Sequence, residues 1–128
     1  MNIEKITFKT RIDDNQNLGG GCSIGGKWKD ITTDELFNNK KVVLFSLPGA
    51  YTPTCSSQQL PGYEKNYEEL KKYVDEVYCL SVNDSFVMNA WFRDQNINKV
   101  KPIGDGEGKF TKSMGMLVNK PKQGFGMR

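Results

Sequence analysis

The sequence predicts an α/β fold with a central sheet flanked by helices, in one domain over residues 1–128. Two continuous apolar segments, residues 42–47 and 76–82, are typical of strands buried on both faces of a sheet. A helical pattern follows each of them, and this alternation of strands and helices is the pattern of α/β proteins. A chain of 128 residues can bury one core but hardly two.

Before the first apolar strand, the chain predicts an edge strand and a short helix. Residues 2–10 alternate weakly between apolar and polar side chains, which predicts the edge strand. Trp28 and Ile31 are expected to begin the packed part of the chain. Thr32 or Thr33 is expected to cap the short helix, because a hydroxyl at that position accepts a hydrogen bond from the first turn.

A longer helix is predicted after residue 55. Its apolar side chains recur at spacings of three and four, which predicts one face packed on the sheet. These side chains are Leu60, Tyr63, Tyr67, Leu70 and Val74. Pro61 is expected to kink the helix and to free a carbonyl group in its first turns.

The second half of the chain predicts two more helices and two more strands. One of residues 83–85 is expected to begin a helix over residues 86–95, whose apolar surface exceeds what one sheet covers. Part of that surface is therefore expected to meet a partner chain. Residues 100–103 predict a short strand, residues 110–114 a helical piece, and residues 116–118 a further strand segment.

The charge pattern excludes some classes of function. The net charge is only +3, and acidic residues lie among the lysines, so no basic stripe predicts a nucleic-acid partner. The first residues lack an apolar signal segment, and no apolar run approaches about 18 residues. We therefore expect a soluble, cytoplasmic protein that does not enter a membrane.

The cysteine and histidine content excludes several classes of enzyme. The three cysteines, Cys22, Cys55 and Cys79, are odd in number and form no CxxC motif, so they predict neither a disulfide framework nor a thiol–disulfide oxidoreductase. Free thiols are typical of a reducing compartment. The chain has no histidine, which excludes Ser-His-Asp and Cys-His hydrolases and HExxH zinc enzymes. Cys22, in a glycine-rich loop, is expected to be an exposed bystander.

Cys55 is the candidate nucleophile, because it follows a buried strand and a Pro-Gly turn and begins the predicted helix. Unpaired N–H groups and the helix dipole favour an anion there, and can lower a thiol pKa from about 8.5 to about 3.5–7.5. The alternative is an inert buried thiol. The polar neighbours favour the reactive interpretation; they are Thr52, Thr54, Ser56 and Ser57. Without an imidazole base, this thiol suits redox chemistry on a soft electrophile.

The segment PGAYTPTC at residues 48–55 resembles the peroxiredoxin family, in particular its peroxiredoxin-5-like branch of type II and glutaredoxin-linked enzymes. The segments VVLFSLPGA, LPGYE, YCLSVNDSFVMNAW, GDGEGKFTKSMGMLV and GFGMR match as well, so the resemblance covers nearly the whole chain from Trp28. It implies a thioredoxin-like fold with a central mixed sheet flanked by helices. It also implies thiol-dependent reduction of hydrogen peroxide and alkyl hydroperoxides, with no metal or other cofactor.

The resemblance assigns roles to particular residues. Cys55 would be the peroxidatic cysteine, Thr52 would hydrogen-bond its thiolate and the peroxide, and Pro48 would shield the pocket from water. Arg128 would stabilise the thiolate and polarise the O–O bond. The resulting sulfenic acid would be reduced by an external thiol, either glutathione with glutaredoxin or thioredoxin. Cys79 matches the second cysteine of plant type II enzymes; it is either a core residue or a resolving thiol.

The chain departs from the family pattern in two places. Gln59 stands where the family usually has histidine. Family members usually continue well beyond GFGMR, so the C-terminal part of the family fold is expected to be missing, either by natural truncation or because the chain is a fragment. That would leave a sheet edge uncovered and Arg128 poorly held beside a terminal carboxylate. The resemblance also implies a homodimer. The alternative function is a redox-sensing or dimerisation module without turnover.

Overall fold

The computed structural model describes residues 2–12 and 26–128. The first two strands, β1 (Thr7–Ile12) and β2 (Lys27–Thr32), pair in antiparallel register, with Phe8 opposite Ile31. The edge strand expected over residues 2–10 is present but spans Thr7–Ile12 instead, and Ile31 packs on the core as expected. Trp28 does not pack on the core as expected. It is 57% exposed, because β2 lies on the surface and presents this ring to solvent.

Helix α1 (Thr33–Phe37) begins with a reciprocal cap. The Thr32 hydroxyl accepts a hydrogen bond from the Glu35 N–H over 3.3 Å, and the Glu35 carboxylate accepts one from the Thr32 N–H over 3.2 Å. This capping box satisfies two N–H groups at the start of the helix. It confirms a threonine cap and identifies Thr32 as the cap, whereas the Thr33 hydroxyl donates to the Glu4 carbonyl.

The central sheet has the order β3 (Val42–Ser46), β4 (Glu76–Ser81), β5 (Lys101–Gly104), and both pairs are parallel. Strand β4 lies in the middle and all six of its residues are buried. The predicted mixed sheet is therefore wrong for this part of the chain: the antiparallel strands form separate two-stranded pairs. Helical crossovers join the three central strands, and such crossovers suit parallel pairing.

The two faces of the sheet carry different cores. Val77 and Cys79 of β4 face a cluster that also contains Cys55, Leu60 and Trp91. The alternate residues of β4 face a second cluster formed with β1, α1 and the last helix; it contains Tyr78, Leu80, Phe8, Leu36 and Phe110. Because side chains alternate along a strand, β4 separates these clusters and holds the first one against the helices that follow Cys55.

The predicted helix after residue 55 is present in three pieces. A π-helical turn (Cys55–Gln59) is followed by α2 (Leu60–Lys65) and α3 (Tyr67–Leu70). The predicted apolar face is confirmed, because all five of its side chains join the first core cluster. In the π turn, the N–H of the residue before Pro61 donates to the carbonyl of Cys55, five residues back. The irregularity expected at Pro61 takes the form of this wider turn.

Helix α4 (Ser85–Asp94) begins at Asp84, whose carboxylate accepts the Val87 N–H over 2.9 Å. A start within residues 83–85 is therefore confirmed. Much of the apolar surface expected to meet a partner is instead used inside the chain, since three of its large side chains are buried in the core; they are Met88, Trp91 and Phe92. Phe86 remains 46% exposed.

The C-terminal part contains α5 (Lys109–Ser113) and an antiparallel hairpin of β6 (Asn119–Lys120) and β7 (Gly126–Met127). The short helix confirms the prediction over residues 110–114. The strand predicted over residues 116–118 is displaced along the chain, because β6 spans Asn119–Lys120. Val118, the last of the predicted residues, nevertheless joins the hairpin through two backbone hydrogen bonds with Arg128.

Candidate active site

Cys55 is the first residue of the π-helical turn and is only 3% exposed. It lies where the sequence predicted, after the loop that leaves β3. The first turn is closed by the Ser56 N–H, which donates to the Thr52 carbonyl over 3.0 Å. The sulfur belongs to the first core cluster, so this thiol is both buried and placed at the start of a helical segment.

The loop over residues 48–54 is held to the end of β4 by Asn83. The Asn83 side-chain oxygen accepts the Ala50 N–H over 3.0 Å and the Ser81 hydroxyl over 2.7 Å. Sequence analysis considered Asn83 only as a helix start and missed this role. Its bond to Ala50 joins residues 33 positions apart in the chain, so no local pattern marks it.

Thr52 lies in the same loop, but its hydroxyl donates to the Gly49 carbonyl over 2.8 Å. A hydroxyl has one proton, so in this arrangement Thr52 can only accept hydrogen bonds from other groups. Donation to a thiolate or peroxide requires rotation of its hydroxyl. Pro48, expected to shield the site, is exposed at the carboxyl end of β3.

Arg128 reaches this loop from the C-terminal hairpin. A Cβ atom placed on Gly49 would lie 3.5 Å from Thr52 Cγ2 and 3.8 Å from Arg128 Nε, so both side chains border Gly49. The expectation that Arg128 is poorly held is wrong. Its backbone exchanges two hydrogen bonds with Val118, at 2.6 and 2.7 Å, and its Nη1 donates to the Val82 carbonyl over 2.8 Å.

The Arg128 Nε atom is buried and has no hydrogen-bond acceptor. Buried donors are nearly always paired in proteins, so an unpaired one beside a reactive loop indicates a place for a ligand atom. Thus the structure brings together the Thr52 and Arg128 side chains predicted from the sequence, on the loop that ends at Cys55.

Helix α4 is hydrogen-bonded to one residue before Cys55 in the sequence and to one residue after it. The Trp91 Nε1–H donates to the Ser56 hydroxyl over 2.9 Å, and the Tyr51 hydroxyl donates to the Asp94 carboxylate over 2.7 Å. Burial and the bond to Asp94 raise the pKa of Tyr51 to about 12, so its hydroxyl stays protonated at neutral pH. Neither contact was predicted, because each joins side chains that are distant in sequence.

Known proteins resemble this chain over most of its length. A family model described as Redoxin matches residues 23–128. A peroxiredoxin from Rhizobium etli is 52% identical over 133 residues, covering 100% of this chain and 73% of that protein. The hybrid peroxiredoxin hyPrx5 of Haemophilus influenzae is 50% identical over 127 residues, covering 98% of this chain and 48% of that protein. The solved 1-Cys peroxiredoxin of Plasmodium falciparum has a TM-score of 0.83 at 41% identity, covering 98% of this chain and 72% of that one.

The chain belongs to the peroxiredoxin family.

These matches confirm the peroxiredoxin-5-like branch and the thioredoxin-like fold inferred from residues 48–55 and their flanking segments. Peroxiredoxins are thiol-dependent peroxidases, so the class implies a peroxide substrate and a thiol reductant. The chain spans between about half and three quarters of the length of the relatives described above.

The other cysteines of this peroxiredoxin differ from Cys55. Cys79 is 0% exposed in the middle of β4. Burial, followed by the nearby Cys55 thiol, raises the pKa of Cys79, which keeps it in the unreactive protonated form. This agrees with the core role considered for Cys79. Cys22 lies outside the described residues. Gln59, in place of the usual histidine, is exposed at the end of the π turn.

Proposed function

We propose that this chain reduces hydrogen peroxide and alkyl hydroperoxides with Cys55 as the peroxidatic cysteine. The observation that carries the proposal is the convergence of Thr52 and Arg128 on Gly49, in the loop that ends at Cys55. The Cys55 sulfur would be the nucleophile for cleavage of the O–O bond. The Thr52 hydroxyl and the unpaired Arg128 Nε–H would be the donors to the departing oxygen.

In the proposed reaction, the Cys55 thiolate attacks one peroxide oxygen and the O–O bond breaks. Negative charge develops on the departing oxygen, which leaves as water or an alcohol after it gains a proton. The buried Arg128 Nε–H is a donor without an acceptor and would stabilise that charge, with a rotated Thr52 hydroxyl as a second donor. The Arg128 donor is already in place and needs no reorganisation to stabilise the transition state, whereas Thr52 must first give up its bond to the Gly49 carbonyl.

Pro48 would complete the pocket. It directly precedes Gly49 and carries no N–H group, so it offers no donor to water at this point of the loop. This is the shielding role that the family resemblance implies. It is a proposal about access to the site, separate from the roles of Thr52 and Arg128.

Reduction of the Cys55 sulfenic acid would use an external thiol, glutathione with glutaredoxin or thioredoxin. The thiol sulfur bonds to Cys55, water leaves, and a second thiol releases the mixed disulfide. The burial of Cys79 within β4 supports this one-cysteine cycle, because burial raises the pKa of its thiol and keeps it in the unreactive protonated form. The Plasmodium falciparum relative is itself described as a 1-Cys peroxiredoxin.

We also propose a homodimer that works in the cytoplasm without a nucleic-acid partner. Tyr51, in the loop beside Cys55, is 51% exposed and offers apolar surface to a second copy. Cys55 and Cys79 are free thiols, as is typical of a reducing compartment. In the described residues, no helix has the length and apolar character to cross a membrane. Sedimentation across a concentration series should detect the dimer, and a strict monomer would contradict it.

The test of the catalytic proposal is peroxide consumption with each reductant in turn. Cys55→Ser should abolish consumption, whereas Cys79→Ser and Cys22→Ser should leave the first turnover intact. A Cys55→Ser protein that consumes peroxide at the parent rate would contradict the proposal. Oxidation of Cys55 once per chain, without cycling under any reductant, would favour the redox-sensing function instead.

A further inference from the structure

The positive charge of the chain is concentrated in one segment. Residues 108–128 hold five basic residues and no acidic residue, whereas residues 1–107 hold 13 basic and 15 acidic residues. The net charge of +3 therefore comes entirely from residues 108–128. A charge asymmetry of this kind favours a partner of the opposite sign at that part of the molecule.

Two lysines of this segment have no acidic neighbour that neutralises them. Lys112, on α5, and Lys120, on β6, are exposed, and neither ammonium group forms an ion pair with any residue that the structure describes. Lys109, by contrast, pairs with Glu107 over 2.6 Å. The charges of Lys112 and Lys120 therefore remain available to a partner.

Exposed apolar side chains accompany these two lysines. Met116, Val118 and Met127 are 67%, 47% and 50% exposed. Methionine is enriched at protein interfaces, and its flexible side chain adapts to the surface that it meets. We call these two lysines and three apolar residues the hairpin surface, because they lie on or beside the hairpin of β6 and β7.

The hairpin surface is held in a fixed position beside the candidate site. Val118 and Arg128 exchange two backbone hydrogen bonds, at 2.6 and 2.7 Å, and the Arg128 side chain borders Gly49 in the loop that ends at Cys55. A Cβ atom added to Gly126 would meet no atom within 4 Å, so the hairpin is open on that side. A partner on the hairpin surface would therefore lie next to the loop that carries the peroxidatic cysteine.

A second copy of the chain does not suit the hairpin surface. In a twofold interface the same surface of both copies meets, which would bring Lys112 and Lys120 against their own counterparts. Like charges oppose such a contact. A membrane is also disfavoured, because basic segments that bind anionic lipids usually hold about 4–8 Lys or Arg residues. The hairpin surface is best suited to an acidic protein.

We propose that the hairpin surface docks an acidic dithiol protein that re-reduces Cys55. This inference rests on the proposed peroxidase function. One thiol of the partner attacks the sulfur of the Cys55 sulfenic acid, an S–S bond forms, and the hydroxyl leaves as water. The second thiol of the partner then attacks the partner's own sulfur in this mixed disulfide. That step releases the Cys55 thiol and leaves the partner with an internal disulfide. Of the reductants proposed above, thioredoxin has this chemistry.

The test compares a charge-reversed hairpin surface with a matched control. Lys112→Glu/Lys120→Glu reverses the two unpaired lysines, and Lys27→Glu/Lys29→Glu makes the same change of net charge on the exposed strand β2. Each protein, oxidised with hydrogen peroxide, is mixed with a reduced thioredoxin of net negative charge, with a variant of that thioredoxin whose surface acidic residues are replaced by lysine, and with glutathione. Stopped-flow fluorescence gives the second-order rate constant of Cys55 reduction at low and at high salt.

We expect the parent to react faster with the acidic thioredoxin than with its lysine variant. Raised salt should slow the faster reaction, because salt screens the attraction between exposed charges. Lys112→Glu/Lys120→Glu should lower the rate with the acidic thioredoxin by about tenfold or more at low salt, and should reverse the preference between the two thioredoxins. The Lys27→Glu/Lys29→Glu control and all reactions with glutathione should stay close to the parent values.

Met127→Ser tests the apolar part of the hairpin surface separately. It should lower the rate with the acidic thioredoxin at low and at high salt alike, because salt does not screen an apolar contact in the way it screens charge. The reaction with glutathione should be unchanged, since a small thiol needs no docking surface. An equal loss with thioredoxin and with glutathione would contradict a docking role for Met127.

Three results would overturn the docking proposal. The first is a rate with the acidic thioredoxin that neither salt nor Lys112→Glu/Lys120→Glu changes. The second is reduction of the parent by glutathione but by neither thioredoxin. The third is cosedimentation of the parent, but not of Lys112→Glu/Lys120→Glu, with vesicles of phosphatidylglycerol, which would assign the hairpin surface to a membrane. Failure of hydrogen peroxide to oxidise Cys55 in the parent would instead overturn the proposed function.

Discussion

Arg128 donates a hydrogen bond from Nη1 to the backbone carbonyl of Val82 over 2.8 Å. Val82 directly follows β4, so this bond fixes the C-terminal hairpin at the carboxyl end of the central strand. The backbone of Arg128 is paired with Val118 at the same time. The guanidinium therefore reaches Gly49 from a chain position that is held at both its main chain and its side chain.

Arg128→Lys should lower the rate of Cys55 oxidation by peroxide by about 10²–10³-fold, the usual loss when one donor to a developing charge is removed. Lysine keeps the positive charge but cannot place two N–H groups in the fixed geometry that serves Val82 and the site together. Stopped-flow measurement of the second-order rate constant checks this. Lys122→Ala, in the same hairpin, is the control; an equal loss in both variants would contradict a specific role for Arg128.

Asn83→Ala should lower the free energy of unfolding by about 1–3 kcal/mol. The substitution leaves the Ala50 N–H and the Ser81 hydroxyl without the acceptor they share, and Ser81 is fully buried. Urea denaturation measures the change. Asn119→Ala, on the exposed strand β6, should have little effect. If both variants are equally stable, Asn83 does not hold the loop as described.

Glu64→Gln should also destabilise the protein, by about 1–3 kcal/mol. The Glu64 carboxylate accepts three successive backbone N–H groups, those of Asn98, Lys99 and Val100, at distances from 2.9 to 3.3 Å. An amide offers fewer acceptor positions and no charge. Glu68→Gln is the matched control, because its exposed ion pair with Lys99 should contribute less than about 1 kcal/mol. A larger loss at Glu68 than at Glu64 in urea denaturation would refute this ranking.

Glu76 should make the stability sensitive to acid. Burial raises the pKa of this carboxyl, but hydrogen bonds from Lys101, the Val77 N–H and the Tyr67 hydroxyl outweigh burial, so the folded pKa is lowered. A lowered folded pKa contributes stability above the unfolded value of about 4.3, and this stability is lost as the pH falls through the folded pKa.

Glu76→Gln should therefore show a shallower loss of stability than the parent as the pH falls below about 4.3. Urea denaturation at a series of pH values measures both curves, and their difference isolates Glu76 from the other carboxylates. Parallel curves for the two proteins across this range would show that the folded state does not favour the charged form of Glu76.

The parts of the fold that depend on neighbouring residues were predictable from the sequence. A threonine cap for α1 was predictable, because Thr32 and Thr33 directly precede the helical segment, but the choice of Thr32 and its reciprocal bond with Glu35 came from the structure. The apolar spacing after residue 55 likewise gave the packed face of α2 and α3. Strand β2 was not predicted, because its largely exposed residues follow no apolar period and its pairing with β1 decides its structure.

The candidate site was predictable only in part. The segment at residues 48–55 gave the position of Cys55, because a strand, a turn and a helix start follow one another locally. The support from Trp91 and Asn83 could not be read from the sequence, since those bonds join residues 35 and 33 positions apart. The firm attachment of Arg128 was missed for the same reason: its partner Val82 is 46 positions away.

The most direct test of Cys55 as the peroxidatic cysteine is the intact mass of the protein after one equivalent of hydrogen peroxide, followed by peptide mapping. The parent should gain one oxygen atom at Cys55, form no disulfide with Cys79, and lose that oxygen when excess thiol is added. Cys55→Ser should remain unmodified under the same conditions. A parent whose Cys55 stays reduced, or a Cys55→Ser protein that gains the oxygen equally, would contradict the account.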